Sequence, residues 1–270
     1  MNTILLALFC GALVGFCLGA LGGGGGILVW PALVFGIGTS GEEASLLAKI
    51  IVGTCAMFAG GMHWRKGTID FRTGLTMSAL GMVGAAIGAR FIRFSGMDPA
   101  IAERAMYAVL ALLMLVVAAL MLRKGLRGRK AEHGPVMPPT EAVKQAVAEV
   151  PRWILFILAS LGIGFITGFL GVGGGFMIVP VLVLVFQLPM KVAAGTSLVV
   201  ISLNCAVGIA ASTSSQVRWD VAILFAVSSI VASAIAVRVA DGLKQSTLQI
   251  AFSGLIIMLG AMMVWKLSVA

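Results

Sequence analysis

The stretch GALVGFCLGALGGGGGILVWP, residues 11–31, is apolar throughout, yet it holds five consecutive glycines, Gly22–Gly26, and ends on Pro31. Glycine and proline are the residues that most weaken a helix, so a segment suited to lipid is interrupted in its middle. Packing explains part of this. Gly11, Gly15 and Gly19 are spaced by four and share one helix face, where small residues let a second helix approach closely. Five adjacent glycines cannot share a face. Irregular backbone at membrane depth is tolerated only where protein buries it or it lines a watery cavity, because an exposed amide in hydrocarbon costs several kcal/mol. The break therefore belongs at the centre of the protein.

The rest of the chain fits that reading. It has 270 residues, 60% of them hydrophobic and 11% charged, with a mean hydropathy of +1.10. A helix needs about 20 mostly apolar residues to cross a bilayer core. Such blocks occur at 3–37, 44–64, 74–92, 105–122, 153–187, 192–212, 221–240 and 251–267. The predicted fold is all-α, a polytopic membrane protein with about eight membrane-embedded helical elements. Four elements lie in a first unit, 1–122, and four in a second, 153–270. A basic, proline-containing connector, 123–152, joins them and is expected on the cytoplasmic side, with a short surface helix over 140–149. The net charge of +9 comes from Lys and Arg beside apolar segments, which points to a cytosolic loop excess and away from nucleic acid. Cys10, Cys17, Cys55 and Cys205 sit in apolar stretches without metal-like spacing and read as small buried hydrophobes. The start, MNTILLALF, lacks the positive region of a signal peptide and is expected in the mature protein. Trp64, Trp153, Trp219 and Trp265 fall at span ends, at headgroup level.

The opening stretch recurs. Gly15, Gly19, Gly22, Gly24, Gly25, Gly26 and Pro31 are matched by Gly164, Gly168, Gly171, Gly173, Gly174, Gly175 and Pro180 at one offset of 149 residues. Lys49, Gly53 and Thr54 in KIIVGT answer to Lys191, Gly195 and Thr196 in KVAAGT at an offset of 142, and Arg90 answers to Arg238 at 148. The two units therefore read as homologous halves. Corresponding membrane segments interrupted by Gly or Pro in both halves are the sequence pointer to a transporter's binding site.

All ten acidic residues lie in loops or at segment ends, with none in mid-span. A buried carboxylate is the usual device for cation binding or proton relay, so a cation carrier is disfavoured. Anions need backbone N–H groups, hydroxyls and amides. Half-helices starting after the glycine runs, at Ile27 and Phe176, would direct free N–H groups inward with partial positive charge. Thr54, Thr196 and Ser197 add hydroxyls and Asn204 an amide. Lys49 and Lys191 recur in register, and two readings stay open for them, at the site or snorkelling to headgroups. Arg90 and Arg238 read as interfacial anchors that can also draw anions to a vestibule. His63 and His133 are assigned to loops, and neither is expected to act as ligand or base. No metal site and no cofactor are expected. An enzyme is disfavoured as well, since no buried histidine or carboxylate is expected beside a serine and the glycine run lacks the Lys-Ser/Thr of a phosphate loop.

With these residues in view, the chain resembles the sulfite exporter TauE/SafE family of membrane permeases. The resemblance rests on GALVGFCLGALGGGGGILVWPAL in the first half, and on GIGFITGFLGVGGGFMIVPVL followed by KVAAGTSL in the second. It implies a multi-pass protein of the bacterial inner membrane that moves sulfite or an organosulfonate. It also implies substrate-facing elements at Gly22, Gly23, Gly24, Gly25 and Gly26 with Pro31, at Gly171, Gly173, Gly174 and Gly175 with Pro180, and at the pairs Gly53-Thr54 and Gly195-Thr196. The first half departs from the second, with Trp30 where the second has Val179 and Cys55 where it has Ser197, so the halves need not contribute equally.

Export by alternating access is the expected mechanism. The alternatives are an anion channel, or a permease for a non-sulfur anion such as a carboxylate. If each broken segment crosses once, the halves are parallel. If each folds as a re-entrant hairpin, the halves are inverted and the N-terminus lies outside, which is the preferred arrangement. Partners are a small anion and the lipid bilayer, with oligomeric state left open.

Overall fold

The apolar blocks fold as helices in the computed structural model, which describes residues 2–23, 25–39, 41–94, 111–126, 152–170, 175–212 and 217–269. In chain order they are α1 (Asn2–Leu21), α2 (Gly25–Pro31), α3 (Gly41–Arg65), α4 (Phe71–Phe94), α5 (111–126), α6 (Arg152–Leu170), α7 (Gly175–Leu184), α8 (Met190–Ala210), α9 (Trp219–Gly242) and α10 (Gln245–Val269). After Pro31 the backbone widens into a π-helical stretch, Ala32–Ile37. Proline supplies no N–H to the preceding turn, and the register changes where that donor is missing. Among the described residues Glu43–Arg65, Met190–Ala210 and Trp219–Gly242 are long and apolar enough to cross a membrane, and Leu5–Leu21, Trp153–Thr167 and Gln245–Ala261 are shorter apolar helices. The expected surface helix over 140–149 and the first part of the 105–122 block lie outside the described residues.

Helix α9 turns a face rich in small side chains inward and a face of large aliphatic ones outward. On α9, Phe225, Ser229, Ser233 and Ala236 are buried, while Ile223, Val227, Val231 and Ile235 are exposed every fourth residue. That stripe suits lipid, and each serine hydroxyl donates to a carbonyl three residues earlier in its own helix. The buried face can then press flat against a partner.

That partner is α1. A Cβ at Gly15 would overlap the Ser229 carbonyl, one at Gly19 would stand 2.5 Å from Ser233 O, and one at Gly11 would stand 2.8 Å from Phe225 O. Residue numbers rise together on the two helices, so α1 and α9 run parallel. The other tight pair is α4 with α6, where a Cβ at Gly164 would overlap the Gly81 carbonyl. Gly164 is Gly15 shifted by 149 and Ser229 is Gly81 shifted by 148, so the same contact occurs twice in the molecule.

Between these pairs α3 crosses α8. Gly53 faces Cys205, Gly60 faces Leu198, Gly195 faces His63, and Gly208 faces the stem of Lys49. Numbers rise on one helix as they fall on the other, so α3 and α8 are antiparallel. Gly53–Cys205 and Gly195–His63 are again one contact repeated, at an offset of 142. α5 and α10 are also antiparallel, with Gly125 against Gln249 and Ile250, and Gly260 against Met114 and Leu115. The C-terminal ends of α1, α3, α5 and α9 therefore share one end of the bundle with the starts of α4, α8 and α10.

Candidate functional site

The glycine break of α1 is a helix end turned into the protein. Gly22 donates its N–H to Leu18 O at 2.9 Å and takes φ +72°, a left-handed conformation that closes many helices and that glycine adopts without strain. Its α-carbon also lies so close to the Ala194 backbone in α8 that a side chain would collide. The chain then reverses, and α2 lies back on α1, with the Cβ position of Gly25 2.6 Å from Val14 O. At Gly23 the first break meets the second, where a Cβ would stand 2.8 Å from Gly175 O and 3.2 Å from Val179. Ser197 joins them, its hydroxyl 2.6 Å from Gly22 O and 2.7 Å from Ala194 O.

Of the residues expected at a site, Gly22, Gly23, Gly25, Gly26, Gly175 and Ser197 are thus brought together. Gly26 has room around it, its nearest neighbour being a methyl of Val52 at 3.6 Å from a Cβ. Pro180 is buried inside α7, and Pro31 is the last residue of α2, where the π-helical stretch begins. Gly24, Gly171, Gly173 and Gly174 lie outside the described residues.

The two Gly-Thr pairs differ. Gly195 sits beneath the Thr68 carbonyl and the His63 ring, and the buried Thr196 hydroxyl accepts the Asp70 N–H at 3.0 Å. Both residues hold the loop 66–70. Thr54 is exposed and its hydroxyl turns back to Ile50 O, so it points at no other part of the site. Asn204 accepts the Ser78 hydroxyl at 3.1 Å, a link between α8 and α4. Lys191 donates to Asp241 O at 2.7 Å, and Lys66 pairs with the Asp241 carboxylate while donating to Val237 O at 3.1 Å, so two cations cap the carbonyl end of α9. Lys49 is half-buried with its stem over Gly208, and Arg90 and Arg238 are exposed.

The described acidic residues keep to helix ends, as with Asp70, which caps α4 by accepting the Thr73 N–H at 3.1 Å and the Thr73 hydroxyl at 2.6 Å. The Thr73 hydroxyl is the main cause that holds the Asp70 carboxyl below its ordinary value.

One expectation is corrected. His63 is not in a loop: α3 continues to Arg65, and the imidazole is buried, with 5% of its surface exposed. Its Nε2 lies 3.4 Å from Gly19 O on α1 and its Nδ1 2.8 Å from Thr68 Oγ1. A signal for this was available in the repeat, since at the offset of 142 His63 takes the place of Cys205, in the interior of a span. His133 lies outside the described residues. Among the described residues no three His, Cys, Asp or Glu side chains gather as a metal site would require.

The break is thus a place of backbone polarity with the Ser197 hydroxyl beside it, packed against α3 and α8, which are long and apolar enough to cross a bilayer. Interrupted helices among membrane-spanning ones are the pattern of a membrane transporter. The chain belongs to the sulfite exporter TauE/SafE family, whose model matches residues 7–263. It is 27% identical over 270 residues to a probable membrane transporter protein of Xylella fastidiosa strain Temecula1, covering 98% of this chain and 97% of that one. It is 26% identical over 235 residues to the probable membrane transporter protein YunE of Bacillus subtilis, covering 81% of each. No solved structure matches the chain.

Proposed function

We propose that this transporter is a permease of the bacterial inner membrane that exports a small sulfur-containing anion, sulfite or an organosulfonate, by alternating access of a site at the two glycine breaks. The observation that carries this reading is the contact of Gly23 with Gly175: two interrupted helices from opposite parts of the chain meet at one interior point. α2 and α7 both start there, and helix starts present N–H groups and partial positive charge to an anion. The family's name supplies the sulfur chemistry.

The reading includes two inverted halves. Its support is the recurrence of the Gly15–Ser229 contact as Gly164–Gly81 and of Gly53–Cys205 as Gly195–His63, with α3 antiparallel to its counterpart α8. Counted from the sequence, an inverted arrangement is expected to set thirteen of the nineteen Lys and Arg on the cytoplasmic side and six outside, in keeping with the positive-inside rule. Among the described residues Arg65, Lys66, Lys191 and Lys244 share one end, while Arg90 and Arg218 lie at the other. An anion leaving an inside-negative cell gains about 2.3 kcal/mol per net charge moved at 100 mV, so the membrane potential favours export of any species that crosses with net negative charge.

The test is counterflow in proteoliposomes with sulfite, methanesulfonate, sulfate, thiosulfate and acetate. Saturable exchange of sulfite or methanesulfonate is expected, and no exchange of any sulfur anion overturns the reading. Unitary currents would replace a carrier by a channel. Gly26→Ala is the informative variant, because a methyl fits beside Val52. It should change the affinity for the anion several-fold without loss of folded protein.

A further inference from the structure

α1, α3 and α8, with the loop 66–70, converge on the His63 imidazole. The Gly19 carbonyl it touches lies in the last turn of α1, beyond the last backbone donor that reaches back among the described residues, from Gly22 to Leu18. With the proton on Nε2, the ring donates to that carbonyl and Nδ1 accepts the Thr68 hydroxyl. The same hydroxyl lies 3.1 Å from His63 O, which also receives the backbone N–H groups of Lys66 and Thr68. A second proton on Nδ1 therefore requires only a rotation: Nδ1–H donates to Thr68 Oγ1, and the hydroxyl proton turns to His63 O. Both protonation states keep their ring nitrogens bonded with no heavy atom displaced, whereas an ordinary buried imidazole loses a bond in one of them.

The charged groups around the ring are already held by partners of their own. Lys66 and Asp241 face the ring as an ion pair, Lys191 on α8 is bound to the Asp241 carbonyl, and Asp70 is held by Thr73. The last turns of α1 carry no ionisable residue beyond Cys17. An imidazolium here lies at the negative end of the α1 dipole, three residues before Gly22.

We propose that His63 is the proton-binding residue of the carrier, and that its protonation and the binding of the anion at the adjoining break favour one another. This rests on the anion reading above. The proton adds to Nδ1 when the anion binds and leaves Nδ1 when it is released, so one proton accompanies each anion. A dianion such as sulfite then crosses with one net negative charge and is still driven out by the membrane potential. A monoanion crosses as a neutral pair and is not.

The experiment uses the full chain with His133→Gln, which leaves His63 as the only histidine of the original two. Its ¹⁵N-imidazole titration is followed in lipid nanodiscs with and without methanesulfonate, an anion that stays ionised over the range and cannot itself carry the proton. A rise of the His63 midpoint by about one pH unit at saturating anion is expected, with a matching fall of about tenfold in anion affinity once the ring is deprotonated, because linkage is reciprocal. In liposomes loaded with methanesulfonate, acidifying the lumen should speed efflux, and the ratio of acid to alkaline efflux should collapse in His63→Gln. A midpoint indifferent to methanesulfonate, with counterflow intact, overturns the role of His63 and spares the anion reading. Absence of counterflow with both methanesulfonate and sulfite overturns that reading and this inference with it. Thr68→Val keeps the ring and removes the rotating hydroxyl, and should lower the His63 midpoint. An unmoved midpoint there also counts against the proposal.

Discussion

Gly53-Thr54 on α3 and Gly195-Thr196 on α8 are the same two residues at the same point of the sequence repeat. Their glycines do the same work, each opening the α3–α8 crossing to a residue of the other helix, Cys205 in one case and His63 in the other. Their hydroxyls do not. Thr196 is buried and anchors the start of α4 through the Asp70 N–H, whereas Thr54 is exposed and bonds only within its own helix. The difference comes from what lies above each pair. The loop 66–70 is short and folds down onto Gly195 and Thr196, and nothing among the described residues folds onto Thr54. A repeated motif thus fixes a helix crossing, while its polar atom takes whatever role the adjacent connection allows.

The largest effects are expected at the two glycines. Gly195→Ala drives a methyl into the Thr68 carbonyl, backbone that cannot rotate away, and should lower stability by about 3 kcal/mol, read by unfolding in mixed detergent micelles. Gly53→Ala meets the Cys205 Cβ at 2.9 Å and should cost about 2 kcal/mol. Unlike the first substitution it has a side-chain remedy, since Cys205→Gly removes the opposing atom. A double-mutant cycle should show a coupling of about 1 kcal/mol. Equal costs at the two glycines, or no coupling, would mean the two crossings are not built as described.

Smaller effects are expected at the hydroxyls. Thr196→Val strands the Asp70 N–H and should cost about 1 to 2 kcal/mol, while Thr54→Val should change stability by less than about 0.5 kcal/mol. The smallest effect concerns pH. The Asp70 carboxyl is held below its ordinary value in the folded protein, so its stabilisation is complete above the unfolded value, near 3.8, and is lost as pH falls through the lowered folded value. Between about pH 5 and pH 3 the melting temperature of the wild type should fall further than that of Asp70→Asn. Parallel curves would show that the Thr73 contacts stabilise no charge.

Much of this architecture is written locally. Runs of apolar residues set the helix lengths, and the spacing by four of Gly11, Gly15 and Gly19 marked the face that α9 covers. The Gly22–Gly26 break was legible because five adjacent glycines cannot share one helix face. His63 was not, since Trp64, Arg65, Lys66 and Gly67 follow it and give the segment the look of a surface turn. Its burial comes from the end of α1 and the start of α8, segments far away in sequence whose arrival no local pattern encodes. Thr54 and Thr196 were indistinguishable for the same reason: a helix face is buried or exposed by its neighbour, and the two neighbours differ.

The parallel packing of α1 on α9 sets an order of assembly. α1 leaves the ribosome well before the serine face of α9 that receives Gly15 and Gly19. Until α9 follows, that glycine face has only lipid or the insertion machinery against it. α6, by contrast, finds its partner α4 already in the membrane when it emerges. Two contacts of one geometry are therefore completed at very different times, and a chain stopped before α9 would enter the bilayer with α1 still undocked, open to quality-control proteases.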